Sequence, residues 1–246
     1  MKEDKASLPG IHATHMKCLD SANKAAEVIS RLALIPLLTG YAPKQWKKGL
    51  DSMIPKKEGE WRPTKLRLIL LLNAPFKHNN KLIGKAIMQY GEKKGILAPE
   101  QYGSRKDRSA IEHAINKRLT IDITRQAKIN AIYIANDATS CYDRILLMMT
   151  YLTMRHYRVT KQAATSSSAT LFEMEHKVRT TYGISDESYG GKDWTPKPHG
   201  IGQGNGYAPA LWAGISSLML KVMSDKGHGT KLRSPISKVF LHMAGY

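Results

Sequence analysis

The sequence predicts an α+β domain, on three observations. Helical and strand-like patterns are mixed along the chain without a regular βαβ alternation, and no segment repeats another. The chain has 246 residues, long enough for one large domain or two small ones with a real core. Hydrophobic residues make up 42%, which excludes a disordered tail.

The elements follow in chain order. A helix is expected from Asp20 or Ser21 through Ala25, Ile29 and Leu32, with Pro36 as its stop. Residues 40–46 read as a turn into a strand ending near Ile54 and Pro55. Lys56, Lys57, Glu58 and Gly59 then form a hairpin tip, and 66–72 a buried strand. A helix is expected over 81–93, closing near Gly95. Ser109 and Glu112 make a capping box for the next helix, whose Ile111, Ile115, Leu119 and Ile123 recur every four residues and predict one buried face. Residues 132–136 predict a short strand that delivers Asp137 at its C-terminal end. Helices are expected over 145–157 and 161–175, the second with a poor interior at Thr165, Ser166, Ser167 and Ser168. A Gly-rich, Trp-containing loop covers 182–206, followed by a helix over 209–223 and a strand over 238–246.

Lys and Arg total 38 against 20 acidic residues, a formal charge of +18. Between Lys44 and Arg118 stand 18 basic and 7 acidic residues, a local charge of +11. That balance favours a polyanionic partner, because each neutralised phosphate releases a condensed counterion; the same charges also serve simply to solvate a surface. Cys18 and Cys141 lie far apart, which excludes a disulfide scaffold and points to a reducing compartment. His12, His15 and Cys18, at three-residue spacing, could in principle hold a metal, but no fourth ligand stands nearby and a metal site is not expected. The first ten residues lack the apolar run of a signal peptide, and the densest apolar runs, 32–38 and 68–72, fall short of the roughly 20 residues of a membrane helix. A soluble intracellular protein, cytoplasmic or nuclear and with no membrane partner, is expected. In Gly200-Ile201-Gly202-Gln203-Gly204-Asn205-Gly206 the glycines fall on every second residue, which does not fit a dinucleotide or P-loop motif.

The stretch with chemical content is Asp137-Ala138-Thr139-Ser140-Cys141-Tyr142-Asp143. An acid at the end of an apolar strand can hold a hard cation, which prefers carboxylate oxygens. The same acid can equally cap a helix, with Asp143 a surface carboxylate. This stretch resembles the motif of reverse transcriptases in which the first Asp is catalytic and an aromatic precedes a second Asp. Four more stretches resemble that family in the same order. Ile54-Pro55-Lys56-Lys57, then Lys65, Arg67 and Lys77, look like the fingers strands that hold the incoming triphosphate. Gln101-Tyr102-Gly103-Ser104-Arg105 resembles a template-side segment. Gly200 to Gly204, with Pro209 and Trp212, look like the Gln-Gly turn and helix of the nucleotide pocket. Leu241-His242-Met243-Ala244-Gly245-Tyr246 resembles the strand entering an Asp-Asp hairpin. The likeness runs from about Tyr41 to Tyr246 and is nearest to polymerases of non-LTR retrotransposons. It departs at Cys141, where Ala is usual, and in stopping before any Asp-Asp pair.

The resemblance implies a right-hand polymerase fold with fingers and an incomplete palm and no thumb, in which 1–40 is a helical extension and 41–246 the fingers and partial palm. It implies RNA-directed DNA synthesis, a nucleotidyl transfer in which two Mg²⁺ ions clamp the primer oxygen and the leaving pyrophosphate. Asp137 would be the catalytic residue and metal ligand. Lys65, Arg67, Tyr142, Gln203 and Gly204 would bind the nucleotide, with Tyr142 as the steric gate at the sugar C2′. Gln101 and Arg105 would face the template. Partners would be an RNA template, a primer–template duplex and deoxynucleoside triphosphates. An Asp-Asp pair is expected shortly after Tyr246, so that residues 1–246 alone should not polymerise. Each residue also has a plainer use: Tyr142 as a core aromatic, Lys65 and Arg67 on a solvated strand edge, Gln101 and Arg105 in a polar loop, the glycines in a flexible one, and the four Trp in packing. Two other functions compete. An RNA-templated RNA polymerase would share the layout, but Tyr142 leaves little room at C2′. A non-catalytic nucleic-acid-binding remnant would keep the basic surface without metal chemistry.

Overall fold

A computed structural model of the chain describes residues 23–233 and 240–243. The elements in order are α1 (Asn23–Thr39), a 3₁₀ turn (Lys44–Trp46), β1 (Lys48–Pro55), a second 3₁₀ turn (Pro63–Lys65), β2 (Leu66–Leu71), α2 (Ala74–Lys94) and α3 (Ala110–Gln126). There follow a helical turn α4 (Cys141–Arg144), α5 (Leu147–His156), α6 (Lys161–Phe172), β3 (Glu175–Thr180), β4 (Gly183–Ile184), β5 (Tyr189–Gly190), α7 (Ala208–Asp225), β6 (Thr230–Arg233) and β7 (Phe240–Met243). The fold is mixed α+β. No helix among the described residues is long and apolar enough to cross a membrane.

The chain divides into two compact units. The first takes the described residues up to Ile87 together with Cys141–Ala208, and the second takes Met88–Ser140 with the described residues from Pro209 onward.

A five-stranded sheet in the order β2-β1-β3-β4, with β5 also paired to β3, forms the frame of the first unit. β1 is antiparallel to β2, setting Leu50 opposite Leu71 and Ile54 opposite Arg67, and parallel to β3, setting Lys48 opposite Glu175. Leu50, Leu70, Trp46 and Phe76 are buried, and the Trp46 and Phe76 rings lie 5.4 Å apart. The Ser-rich interior of α6 holds because its hydroxyls find partners. Ser166 donates to Tyr41 O at 2.7 Å, Ser167 to the Tyr207 hydroxyl at 3.0 Å, and Thr170 to Ser166 O at 2.8 Å.

In the second unit Ser109 caps α3 as expected, its Oγ accepting from Glu112 N–H at 3.1 Å. The Gln101 carboxamide ties to α7, where Ser216 Oγ donates to Gln101 Oε1 at 3.0 Å, and Ala98 and Leu220 pack together. β6 and β7 make a two-stranded antiparallel sheet.

Several expectations are corrected. Pro36 sits inside α1 instead of ending it; it forgoes one backbone bond near the C-terminal end, and Gly40 N–H still reaches Pro36 O at 3.0 Å. α2 starts at Ala74, seven residues earlier than expected, because Pro75 suits the first turn of a helix. The Ile stripe of α3 is not a buried face: Ile111, Ile115, Leu119 and Ile123 are 73%, 54%, 53% and 42% exposed, while Thr120 and Thr124 are the buried positions. Residues 132–136 form no strand, and Ile132 is 90% exposed. β3 begins at the last residue of the expected helix and runs through residues given no element, because it alternates polar residues whose only apolar marker is Val178, and β4 and β5 lie in the expected loop. The expected helix start near Asp20 and the ends of the 238–246 strand lie outside the described residues, as do His12, His15 and Cys18.

Candidate functional site

The 200–206 loop is held in the first unit from three sides. Leu70 N–H on β2 donates to Gln203 O at 2.8 Å, while Gly200 N–H and Ile201 N–H donate to Ile145 O at 3.0 Å and Tyr142 O at 2.9 Å. From α2, Asn80 Nδ2 donates to Asn205 Oδ1 at 2.9 Å, and Asn205 Nδ2 in turn donates to Ile201 O at 3.0 Å. Beneath the loop Tyr207 is fully buried, and burial pushes its phenol up to about 12. Glycine is required at Gly200, where φ is +97° and a Cβ would stand 2.7 Å from Asp143 Cα. At Gly204 φ is +110° and a Cβ would meet Leu70 O at 2.9 Å.

This packing brings the Tyr142–Asp143 turn of α4 against Gly200 and Ile201 through its backbone, and against Gln203 through the Asp143 carboxyl. Tyr142 and Asp143 are half-buried, and Gly204 is open to solvent. Burial, and secondarily the neighbouring Cys141, raise the Tyr142 phenol. The Asp143 carboxyl lies above its ordinary value, first because of burial and then because Asp51 is close; the Gln203 N–H and Lys56 draw it back down. Arg67 is exposed on β2 opposite Ile54, and Lys65 is exposed in the turn before it, where its carbonyl accepts from Lys56 N–H at 3.2 Å.

A buried acid missing from the sequence reading joins this cluster. Asp51, in mid-β1, is 1% exposed. Its Oδ2 accepts from the Tyr189 hydroxyl and lies 3.0 Å from His176 Nδ1, and the two rings stack with centroids 5.1 Å apart. Its Oδ1 has no hydrogen-bond partner among the described residues. Burial raises the Tyr189 phenol strongly, with Asp51 and then Asp143 adding to it. No sequence signal marks Asp51: a single acid in a strand reads as solvent-facing, and its partners lie on strands more than 120 residues away.

The remaining site residues belong to the second unit. Gln101 is 3% exposed, and its amide also donates to Gly103 O at 3.1 Å. Arg105 makes a two-pronged pair with Glu92, at 2.8 and 2.7 Å, and donates to Ala98 O at 2.9 Å. A template contact by either would have to break those bonds. Asp137 lies in an irregular, exposed segment with no strand to orient it. Among the described residues no three His, Cys, Asp or Glu side chains converge to hold a metal ion, so Asp137 has no complete donor set there. No protein-family model matches the sequence, and no curated protein matches it.

Proposed function

We propose that the chain is a reverse-transcriptase-type fingers and partial palm of retroelement origin, whose first unit binds a deoxynucleoside triphosphate for RNA-directed DNA synthesis. The observation that carries this reading is the packing of the Tyr142–Asp143 turn against Gly200, Ile201 and Gln203. These motifs are separated by about sixty residues of sequence, and the motif order alone does not require them to touch.

In this reading the Tyr142 ring stands beside the sugar C2′ and disfavours a 2′-hydroxyl. Gln203 can both donate and accept, which suits a sugar or base edge. Arg67 offers a planar fork to phosphate oxygens and Lys65 a point charge. Two Mg²⁺ ions would supply charge stabilisation for transfer, with Asp137 as one ligand. The described residues do not complete such a centre, so the part of the chemistry that they carry is nucleotide and strand binding. The exposed, irregular setting of Asp137 favours a second reading, a nucleic-acid-binding remnant of a palm without transfer activity.

Photo-crosslinking with an azido-dATP tests the first reading. Labelled peptides should contain Tyr142 or Gln203, unlabelled dATP should compete better than ATP, and Tyr142→Ala should abolish that preference. Label scattered over surface lysines, with equal competition by ATP, would refute the pocket. Saturable RNA binding without any nucleotide labelling would favour the remnant.

A further inference from the structure

At the other end of β1 the first unit has a concavity of about 790 Å³ lined by Lys44, Gln45, Lys47, Lys48, Glu173, Glu175 and Lys192. Its volume is in the range of ligand-binding clefts. Its lining is built from ordered backbone. Trp46, buried against Phe76, anchors the 3₁₀ turn that carries Lys44 and Gln45. Glu175 N–H donates to Lys47 O at 2.9 Å, and the β1–β3 register sets Lys48 opposite Glu175. Lys192 follows Gly190 and Gly191, both at φ +84°, and Gly191 N–H is bonded to Met174 O at 2.8 Å. Lys197 Nζ braces the same turn from behind by donating to Gly191 O at 2.8 Å.

Charge within the concavity is unbalanced. Lys47 is neutralised by Glu173 at 2.8 Å. Lys44, Lys48 and Lys192 have no carboxylate partner among the described residues, and of the lining only Glu175 opposes them. Three like charges gathered with one acid repel one another, and an external anion relieves that repulsion.

We propose that this concavity is a second nucleic-acid contact, a grip for the phosphodiester backbone of a single RNA strand. The lining decides the ligand class. It has no aromatic side chain on which a base could stack and no arginine fork to read a base edge. Lysines are point charges that suit phosphates of any sequence. Lys48 is six residues along the strand from Ile54, the partner of Arg67, so the grip stands about 20 Å from the triphosphate end of β1. The proposal rests on nucleic acid as the partner and not on nucleotidyl transfer.

The test is binding of a fluorescent oligo(U) to the full chain across a salt series, compared among three triple variants. Lys44→Gln/Lys48→Gln/Lys192→Gln should weaken binding on the order of tenfold at low salt and flatten the log–log salt slope by about 2 units, since each single-strand phosphate contact contributes about 0.7. The corresponding Lys→Arg triple should keep the wild-type slope. A control triple at the exposed Lys93, Lys94 and Lys117 should change it less. An unchanged slope in the Gln triple, or an equal loss in the control, overturns the proposal. So does displacement of the oligonucleotide by inorganic phosphate at matched phosphate concentration, which would make this a free-phosphate site. Azido-dATP labelling run in parallel separates the two ideas: loss of labelling with the lysine-dependent slope intact removes the nucleotide pocket and leaves the grip.

Discussion

In the first unit, residues from β2, α2, α4 and α6 close around the 200–206 loop and Tyr207, whereas in the second α3 turns Ile111, Ile115, Leu119 and Ile123 toward solvent. Both regions carry strong patterns in the sequence. The difference is that the first has long-range polar ties that specify which surfaces meet: Asn80 to Asn205, Ser167 to Tyr207, Asp51 to Tyr189 and His176. α3 is stabilised locally instead, by its Ser109 cap, by the i,i+4 pairs Arg108–Glu112 and Arg118–Asp122, and by Thr124 Oγ1 at 2.6 Å from the Tyr133 hydroxyl. A four-residue repeat therefore predicts a helix reliably. It does not say which face is covered.

The contrast can be broken most forcefully at Gly200. Gly200→Ala combines a left-handed φ with a Cβ 2.7 Å from Asp143 Cα and 2.9 Å from two carbonyl oxygens. It should cost about 3 kcal/mol, read as faster hydrogen exchange in β2 and a lower urea midpoint. Gly59→Ala, at φ +76° with nothing within 4 Å, should cost only about 1 kcal/mol. Equal losses would mean that the loop is not tightly seated.

A smaller effect comes from pH. The folded state holds the Asp143 proton more tightly than the unfolded chain does, because burial and Asp51 raise its pKa. The stability linked to that proton is present on the acid side and lost as pH rises through the folded value. Wild type should therefore lose stability relative to Asp143→Asn as pH climbs above the ordinary value of 3.8. The group is half-exposed, so the difference should stay under about 1 kcal/mol. A constant difference across that window would show that neither burial nor Asp51 holds the proton on Asp143 in the folded state.

The smallest effect is expected in the second unit. Ile115→Lys should change stability by no more than about 0.5 kcal/mol. A loss of several kcal/mol would show that the stripe is covered in solution and would erase the contrast.

What could be read from the sequence followed the same division. Ser109, the glycine-rich loop ending at Gly206, β1, β2 and α7 were visible because caps, glycine patterns and apolar runs are local signals, whereas Gln203 and Gly204 stood out only through the family resemblance. Asp51 was invisible because its meaning is given by Tyr189 and His176, which no local window contains. Residues 132–136 misled in the opposite sense. Ile132, Tyr133 and Ile134 are good strand formers, but a strand needs a ladder partner, and propensity alone does not supply one. The residues of α6 misled more mildly, since buried serines are tolerated once their hydroxyls are bonded.

The parallel pairing of β1 with β3 also sets a timetable. Asp51 and Tyr189 are 138 residues apart, so at ribosomal rates of about 5–20 residues per second the buried carboxylate waits roughly 7–28 s for its partner to be made. Through that interval β1 can pair only with β2, as a hairpin whose other edge is open. Residues 88–140 are synthesised while the first unit is still incomplete. The nascent chain should therefore pass through a long-lived half-sheet, and holding that edge apart from other chains becomes a task for the cell's chaperones.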